Sequence, residues 1–436
     1  MAAIAGQPAL IWQKAFASGA ASRAAGVLRR AIFAVLALPF ATVAPALAQG
    51  PATGAATATA AKSITILMVR ELRDRLPPLS LLDQPPKDDG IAGAKLAIDD
   101  NNTTGRFLNQ SFTLATLENA DPSALVAAAK GEVEKGATGF IVADVAPDTL
   151  LQLSDAIAGK DAVIFNASAP DERLREEACR ANVKHTAPSH AMLADGLAQY
   201  LAVKRWRRWL LVVGTQPDDA LFADALRRAA KRFGHKIVEE RIFKYEVGSR
   251  RADGGFEQIQ QQIPSFLQGA ADHDIVLVSD PGSLFSDYFP YRTWEARPVA
   301  GSAGLYATSW HPAVELWGGT QFQNRFKRLA GRNMRPLDYN VWMAVRSVGE
   351  AATRRRSGDT KELIAYMRLP EFELAAFKGR KLTYRDWNGQ LRQPILVTTD
   401  KLHVTVSPQP EFLHQFSELD TLGIDKPETK CAAYTK

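Results

Sequence analysis

Apolar positions along this chain fall into two alternating rhythms. From Ile64 to Val69 the run Ile-Thr-Ile-Leu-Met-Val is rich in β-branched residues and reads as a buried strand. A polar stretch broken by Pro77-Pro78 and Pro85-Pro86 follows, which neither a helix nor a central strand tolerates. Between Asp89 and Asn102, Ile91, Ala94 and Ile98 then recur at helical spacing, while Lys95, Asp99 and Asn102 face away. Gly93 and Ala94 let that helix lie close against a sheet. Strand, long loop and helix make a first βα unit. Its loop leaves the carboxyl end of the strand, where open α/β sheets bind ligands.

The same alternation continues. Strands are predicted at 112–117, 139–143 and 162–165, with helices opening at Asp121-Pro122 and at Pro147, and the loop Asn166 to Pro170 follows the fourth strand. A helix over 171–179 closes this part, and the rhythm breaks between Cys179 and Pro188. It resumes with helices at 191–203, 218–233 and 256–267, and with strands at 209–213, 235–241, 274–278 and 298–302. Helices at 321–330, 339–355 and 362–367 come next. From Arg380 to Val406 the turn Asn388-Gly389 sits among short apolar runs, the signature of antiparallel strands. Alternating strands and helices define an α/β protein of parallel βαβ units. Two such lobes of similar size, connected more than once, leave a cleft suited to hinge closure on a ligand.

The first residues have another use. Arg23, Arg29 and Arg30 precede the apolar run Ala31 to Phe40, and Ala46-Leu47-Ala48 closes the segment. That is the layout of a secretory signal peptide, cleaved near Ala48. Its removal takes away Lys14 and those three arginines but no acid, so the formal charge falls from +6 to about +2 and gives little reason to invoke nucleic acid. The remaining chain is too long for one core and suits two lobes. Cys179 and Cys431, both in the exported part, read as a disulfide in an oxidising compartment. The alternative is a buried Cys179 and a free Cys431.

Catalytic signatures are missing: no G-x-S-x-G, no G-x-x-x-x-G-K-[ST], no H-E-x-x-H and no C-x-x-C. The chain therefore reads as a non-enzyme with no cofactor and no metal. Lys204 to Arg208 and Arg354 to Arg356 are basic clusters that read as a solvated turn and a helix end. Asp144, Asp148, Asp218, Asp219 and Asp280 lie on strand-to-helix loops. There they either cap helices or offer oxygen donors to a cation or an amine.

Gly90 to Asn102 resembles the G-x-x-G-x-x-L-A-I-x-x-x-N helix of the periplasmic binding proteins that serve Leu/Ile/Val-type ABC transporters. Gly379 to Tyr384 with Asn388-Gly389 is similar to the closing hairpin of that family. Three further stretches resemble a subgroup associated with PQQ-dependent alcohol dehydrogenase systems: Tyr291 to Gly301, Ser309-Trp310-His311, and Trp317 to Phe326. The resemblance implies a type I periplasmic binding fold, with two doubly wound parallel-sheet lobes, three crossovers and a central cleft. It also implies a periplasmic monomer that carries a small-molecule ligand to an ABC permease in the inner membrane. A sensor or accessory protein on the same fold is the alternative.

The implied layout is a signal peptide at 1–48 and a flexible lead-in at 49–62. The first lobe occupies 63–187 and returns at 311–377, the second occupies 188–310 with closing strands at 378–408, and 409–436 is a tail. Strand-end loops would hold the ligand through Asp148, Thr149, Asn166 and Ser168 from the first lobe, and Asp219, Asp280 and Tyr306 from the second. The family pattern fails at several ligand positions: Asp144 to Thr149 replaces a Ser/Thr loop, Asp218-Asp219-Ala220 a Tyr-Gly pair, and Trp342-Met343-Ala344 a Y-D-A triplet. Leucine and its relatives are therefore expected to bind weakly or not at all.

Overall fold

A computed structural model describes residues 62–74, 84–245 and 259–434. The signal peptide, the lead-in up to residue 61 and the Pro77-Pro78 pair lie outside the described residues. The first sheet and its helices run β1 (Lys62–Glu71), α1 (Ile91–Gly105), β2 (Gln110–Asn119), α2 (Pro122–Glu134), β3 (Phe140–Asp144), α3 (Pro147–Ala156), β4 (Val163–Asn166) and β5 (Val183–His185). Its five strands are parallel in the order β2-β1-β3-β4-β5, a doubly wound sheet. Both faces are buried, and strict alternation assigns the side chains. Ile64, Ile66 and Met68 enter one core with Phe140 and Val142, while Leu67 and Val69 enter the opposite core with Ile141 and Ala143. Each such side chain, fully buried, is worth about 1.5–3 kcal/mol, so a one-residue slip in β1 would exchange two cores at once.

The second sheet gathers β6 (Arg208–Val213), β7 (Lys236–Ile242), β8 (Ile275–Ser279), β9 (Val299–Gly301) and β10 (Leu305–Thr308). Its helices are α4 (His190–Val203), α5 (Pro217–Phe233), α6 (Ile259–Leu267) and the short α7 (Phe289–Arg292). Trp209, Leu211 and Val213 face the core under α4 and α5, and Leu210 and Val212 face the other side. After β10 the chain returns to the first sheet through α8 (Gly319–Ala330), α9 (Pro336–Arg355) and α10 (Thr360–Tyr366). Trp342, Val345 and Val348 of α9 join the core of β1. A small antiparallel sheet, β11 (Leu374–Ala375), β12 (Lys381–Tyr384) and β13 (Leu391–Arg392), precedes β14 (Ile395–Thr398) and β15 (His403–Ser407). These last two close the second sheet, with β14 antiparallel to β10 and β15 antiparallel to β14.

The chain passes between the two large sheets three times: after β5, after β10 and between β13 and β14. The crossing strands are bonded to one another. The Gln393 side chain donates to the Thr186 carbonyl at 2.8 Å and accepts from the Lys378 ammonium at 2.9 Å. Gln390 donates to the carbonyls of His185 and Ala187.

One predicted helix is absent. Residues 171–179 form only a single 3₁₀ turn, Glu172–Leu174, and irregular backbone. The cause is Arg175, whose buried guanidinium donates to the carbonyls of Ala169, Asp171 and Ala187 and to the Gln390 side chain at 2.6 Å. A helix through this segment would carry that group away from its four acceptors. The strand β5 that follows was not predicted.

Residues 409–434 cross the molecule as a strap. Asp420 bonds the buried Arg385 and its neighbour Arg392, and Leu422 packs on Met192 and Ile395. The Gly423 amide donates to Asp195 of α4, while Arg228 and Arg232 of α5 hold the Gly423 carbonyl. Farther on, the Lys430 amide donates to Glu176, Cys431 is joined to Cys179, and the Tyr434 hydroxyl donates to the Val183 carbonyl.

Candidate ligand-binding site

A cavity of about 380 Å³ opens where the carboxyl ends of strands from both large sheets meet the first two crossings. From the first lobe, Ser168 and Pro170 of the loop after β4 line it, with Pro336 and Asn340 of α9. From the second lobe come Phe222 of α5, Leu193 of α4, and Gly301, Ser302 and Tyr306 around β9 and β10. Ala187, Pro188 and His190 contribute from the first crossing, and Thr308 and Ser309 from the second. The backbone at Gly301 admits no other residue: φ is 106°, and a Cβ would sit 2.2 Å from the Val278 carbonyl oxygen.

The loops are set from behind. Asn166 ends β4 and turns the chain, its Oδ1 accepting from the amides of Ser168 and Ala169 and its Nδ2 donating to the Ala169 carbonyl. Arg175 bonds the backbone on both sides of Pro170 and at Ala187. The Ser302 hydroxyl accepts from the Asp280 amide, and the Asn340 Nδ2 donates to the Ala167 carbonyl at 3.1 Å. Two further supports are aromatic: Trp310 stacks on Tyr339 with centroids 4.8 Å apart, which fixes the chain next to Ser309 and Asn340.

Three buried polar groups in this wall have no protein partner: both ring nitrogens of His190, the Ser309 hydroxyl and Oδ1 of Asn340. Buried polar atoms are nearly always hydrogen-bonded, and here three residues that line one cavity each carry such an atom without a protein partner. His190 is 4% exposed and opens α4 just after its Ser189 cap. Burial, aided by the Arg175 charge, pushes its pKa down to about 4. It is therefore a neutral imidazole at physiological pH, with one donor and one acceptor nitrogen.

The residues expected to bind ligand divide. Ser168 and Tyr306 line the cavity. Asn166 lies directly behind it as the turn-former, while Asp148, Thr149, Asp219 and Asp280 are not among the lining residues. Asp148 pairs with Arg173 at 2.7 Å on the surface, and Thr149 is buried in α3. Asp219 accepts from the Gln216 amide at 2.8 Å, closing the first turn of α5. Asp280 spends its carboxylate on the amides of Leu284, Phe285 and Ser286. Asp144 is buried against Arg70 and Arg73. Among the described residues, no His/Cys/Asp/Glu group is arranged to hold a metal ion. In α9, Trp342 to Ala344 face the core, and it is Asn340, two residues earlier, that joins Pro336 in the cavity lining. Sequence reasoning passed over His190, Ser309 and Asn340. Each is an ordinary residue by type, and only the positions of His190 and Ser309 at the ends of broken α/β rhythm offered a signal.

Two sheets wound in this way, joined by three crossings over a central cavity, define the type I periplasmic binding fold. The family model described as periplasmic binding protein matches residues 84–285 of the chain. Solved structures agree in fold. A branched-chain amino acid ABC transporter periplasmic ligand-binding protein from Burkholderia xenovorans is 15% identical, with a TM-score of 0.67, over 85% of this chain and 100% of that one. An ABC transporter solute-binding protein from R. palustris in complex with benzoate is 11% identical, with a TM-score of 0.59, over 85% and 99%. An ABC transporter substrate-binding protein from Desulfitobacterium hafniense in complex with Leu is 14% identical, with a TM-score of 0.60, over 78% and 98%. No curated protein matches the chain in sequence. These are binding proteins rather than enzymes, and no described helix is long and apolar enough to cross a membrane.

Proposed function

We propose that the protein is the periplasmic solute-binding component of an ABC transporter, a monomer that closes its two lobes on a small ligand and presents it to an inner-membrane permease. The observation that carries this reading is the cavity between the lobes, whose lining includes His190, Ser309 and Asn340, each with a buried polar atom that has no protein partner. Ser168 and Tyr306 join these three as ligand contacts, and Asn166 positions them. The three crossings, of which the first and third are bonded through Gln393, supply the hinge. We further link the protein to a PQQ-dependent alcohol oxidation system. Support for that link is the resemblance of Tyr291 to Gly301 and of Ser309 to His311, two stretches that also give the cavity Gly301 and Ser309.

The test begins with mass spectrometry of small molecules retained by protein purified gently from the periplasm. The identified ligand is expected to raise the melting temperature in proportion to the logarithm of its concentration, because only the folded state has the cleft. It should also reduce the radius of gyration in small-angle scattering, at a mass equal to one chain. A tight ligand that leaves the scattering curve unchanged would rule out hinge closure, and a doubled mass would rule out the monomer.

A further inference from the structure

We propose that the cavity takes an uncharged, hydroxyl-bearing molecule of roughly a dozen non-hydrogen atoms, read by His190, Ser309 and Asn340; this rests on the solute-binding reading above. The size follows from the cavity volume of about 380 Å³, room for about a dozen water molecules at ~30 Å³ each. The chemistry follows from the wall. Among the described residues, no Asp, Glu, Lys or Arg lines the cavity, so neither an ammonium nor a carboxylate meets an opposite charge. An ion moved from water into such a site keeps most of its desolvation cost.

The unpaired groups specify more than neutrality. Neutral His190 presents one N–H and one lone-pair nitrogen, Ser309 a hydroxyl that both donates and accepts, and Asn340 Oδ1 acceptance only. Together they ask for a partner that donates at least twice and accepts at least once. A molecule with two or more hydroxyls does this without charge, because each hydroxyl is donor and acceptor at once. Hydroxyls of Ser168, Ser302, Tyr306 and Thr308 belong to residues of the same lining, and its apolar part is Phe222, Leu193 and the proline rings at 170, 188 and 336. Ring carbons of a phenol or the C–H face of a cyclic polyol would pack there equally well. The shared chemistry is neutral hydroxyls on a compact carbon frame.

Calorimetry on ligand-free full-length protein with four neutral probes (catechol, benzyl alcohol, glycerol, myo-inositol) and three charged ones (leucine, benzoate, ethanolamine) decides the matter. At least one neutral probe is expected to bind, and whether it is aromatic or a polyol identifies the source. Leaving one buried ligand hydroxyl without its partner costs ~10- to 100-fold in affinity, so His190→Leu should weaken that probe by this factor. Ser309→Ala should weaken it by about tenfold. His190→Leu removes two buried ring nitrogens that have no protein hydrogen-bond partner and leaves an apolar side chain beside Phe222, so its melting temperature without ligand should not fall. If that variant does not fold, Ser309→Ala carries the test alone. Binding of leucine, benzoate or ethanolamine in preference to every neutral probe overturns the ligand class and leaves the solute-binding function standing. Neutral binding that survives both substitutions overturns the assignment of these residues. If no probe binds and periplasmic protein carries no small molecule, both readings fall.

Discussion

Replacing Cys431 by serine is expected to lower the unfolding free energy by as much as about 5 kcal/mol, the loop-entropy figure for a cross-link of this span. The bond joins residues 252 apart, so the unfolded chain loses much freedom when it is present. The real loss should fall below that ceiling, because the strap has other anchors. Asp420 still pairs with Arg385 and Arg392, and Gly423 still lies between Asp195 and the two α5 arginines. Ile424 is still held by Arg385 and Trp387, Asp425 by His414 and Lys426 by Asp386; beyond them the anchors thin out and include Glu428 on Arg228, the Thr429 hydroxyl and Lys430 amide on Glu176, and the Tyr434 hydroxyl. Release should therefore be confined to the last dozen or so residues and be visible as new proteolytic cleavage there. Urea unfolding of wild type with and without reductant, beside Cys431→Ser, measures it. Equal midpoints for all three would show that the cross-link contributes nothing.

The second large effect is expected at Asp338. Its carboxylate is fully buried at the start of α9 and accepts from the Gly90 amide, the Arg335 amide and both terminal nitrogens of Arg332. One side chain thus closes the loop before α1 and caps α9. The two helices touch across Gly93, where a Cβ would come within 2.0 Å of the Asp338 carbonyl oxygen. Asp338→Ala leaves two buried amides and part of a guanidinium without an acceptor. Removing one partner of a buried pair costs about 3–5 kcal/mol. Asp88 retains two bonds from Arg332, one to its carboxylate and one to its carbonyl, so about 3 kcal/mol is the expected loss, with Asp338→Asn intermediate. A loss under about 1 kcal/mol in chemical denaturation would show that the loop and helix hold without this hub.

The fold was legible because burial on both faces leaves a plain record. Strands such as Phe140–Asp144 and Ile275–Ser279 are buried at every position, and the helices between them carry apolar stripes that cannot be read as anything else. The segment 171–179 was misread because Glu-Arg-Leu-Arg-Glu-Glu has helical propensity, whereas its backbone answers to a tertiary demand, the four acceptors of Arg175. The site was legible only in outline. Acids at strand ends look like ligands, yet Asp280 spends both oxygens on its own loop, Asp219 gives one oxygen to the Gln216 amide, and neither lines the cavity. What distinguishes His190, Ser309 and Asn340 is that a buried atom without a protein partner coincides with a place in the cavity lining, a property of the assembled molecule that no local pattern encodes.

The bonds among the crossing strands bear on how the protein comes apart. Lys378 is buried at the hinge, its ammonium held by Gln393, the Pro394 carbonyl and the face of Tyr339, while Gln390 and Gln393 reach the backbone of the first crossing. Every group in that web draws partners from segments that feed both lobes. If one lobe melted, the other would be left with buried donors and acceptors stripped of their mates, at about 1–3 kcal/mol each. The two lobes therefore form one cooperative unit despite their separate cores, and the calorimetric and van't Hoff enthalpies of unfolding should agree. Two resolved heat-absorption peaks would mean that the hinge transmits motion without sharing stability.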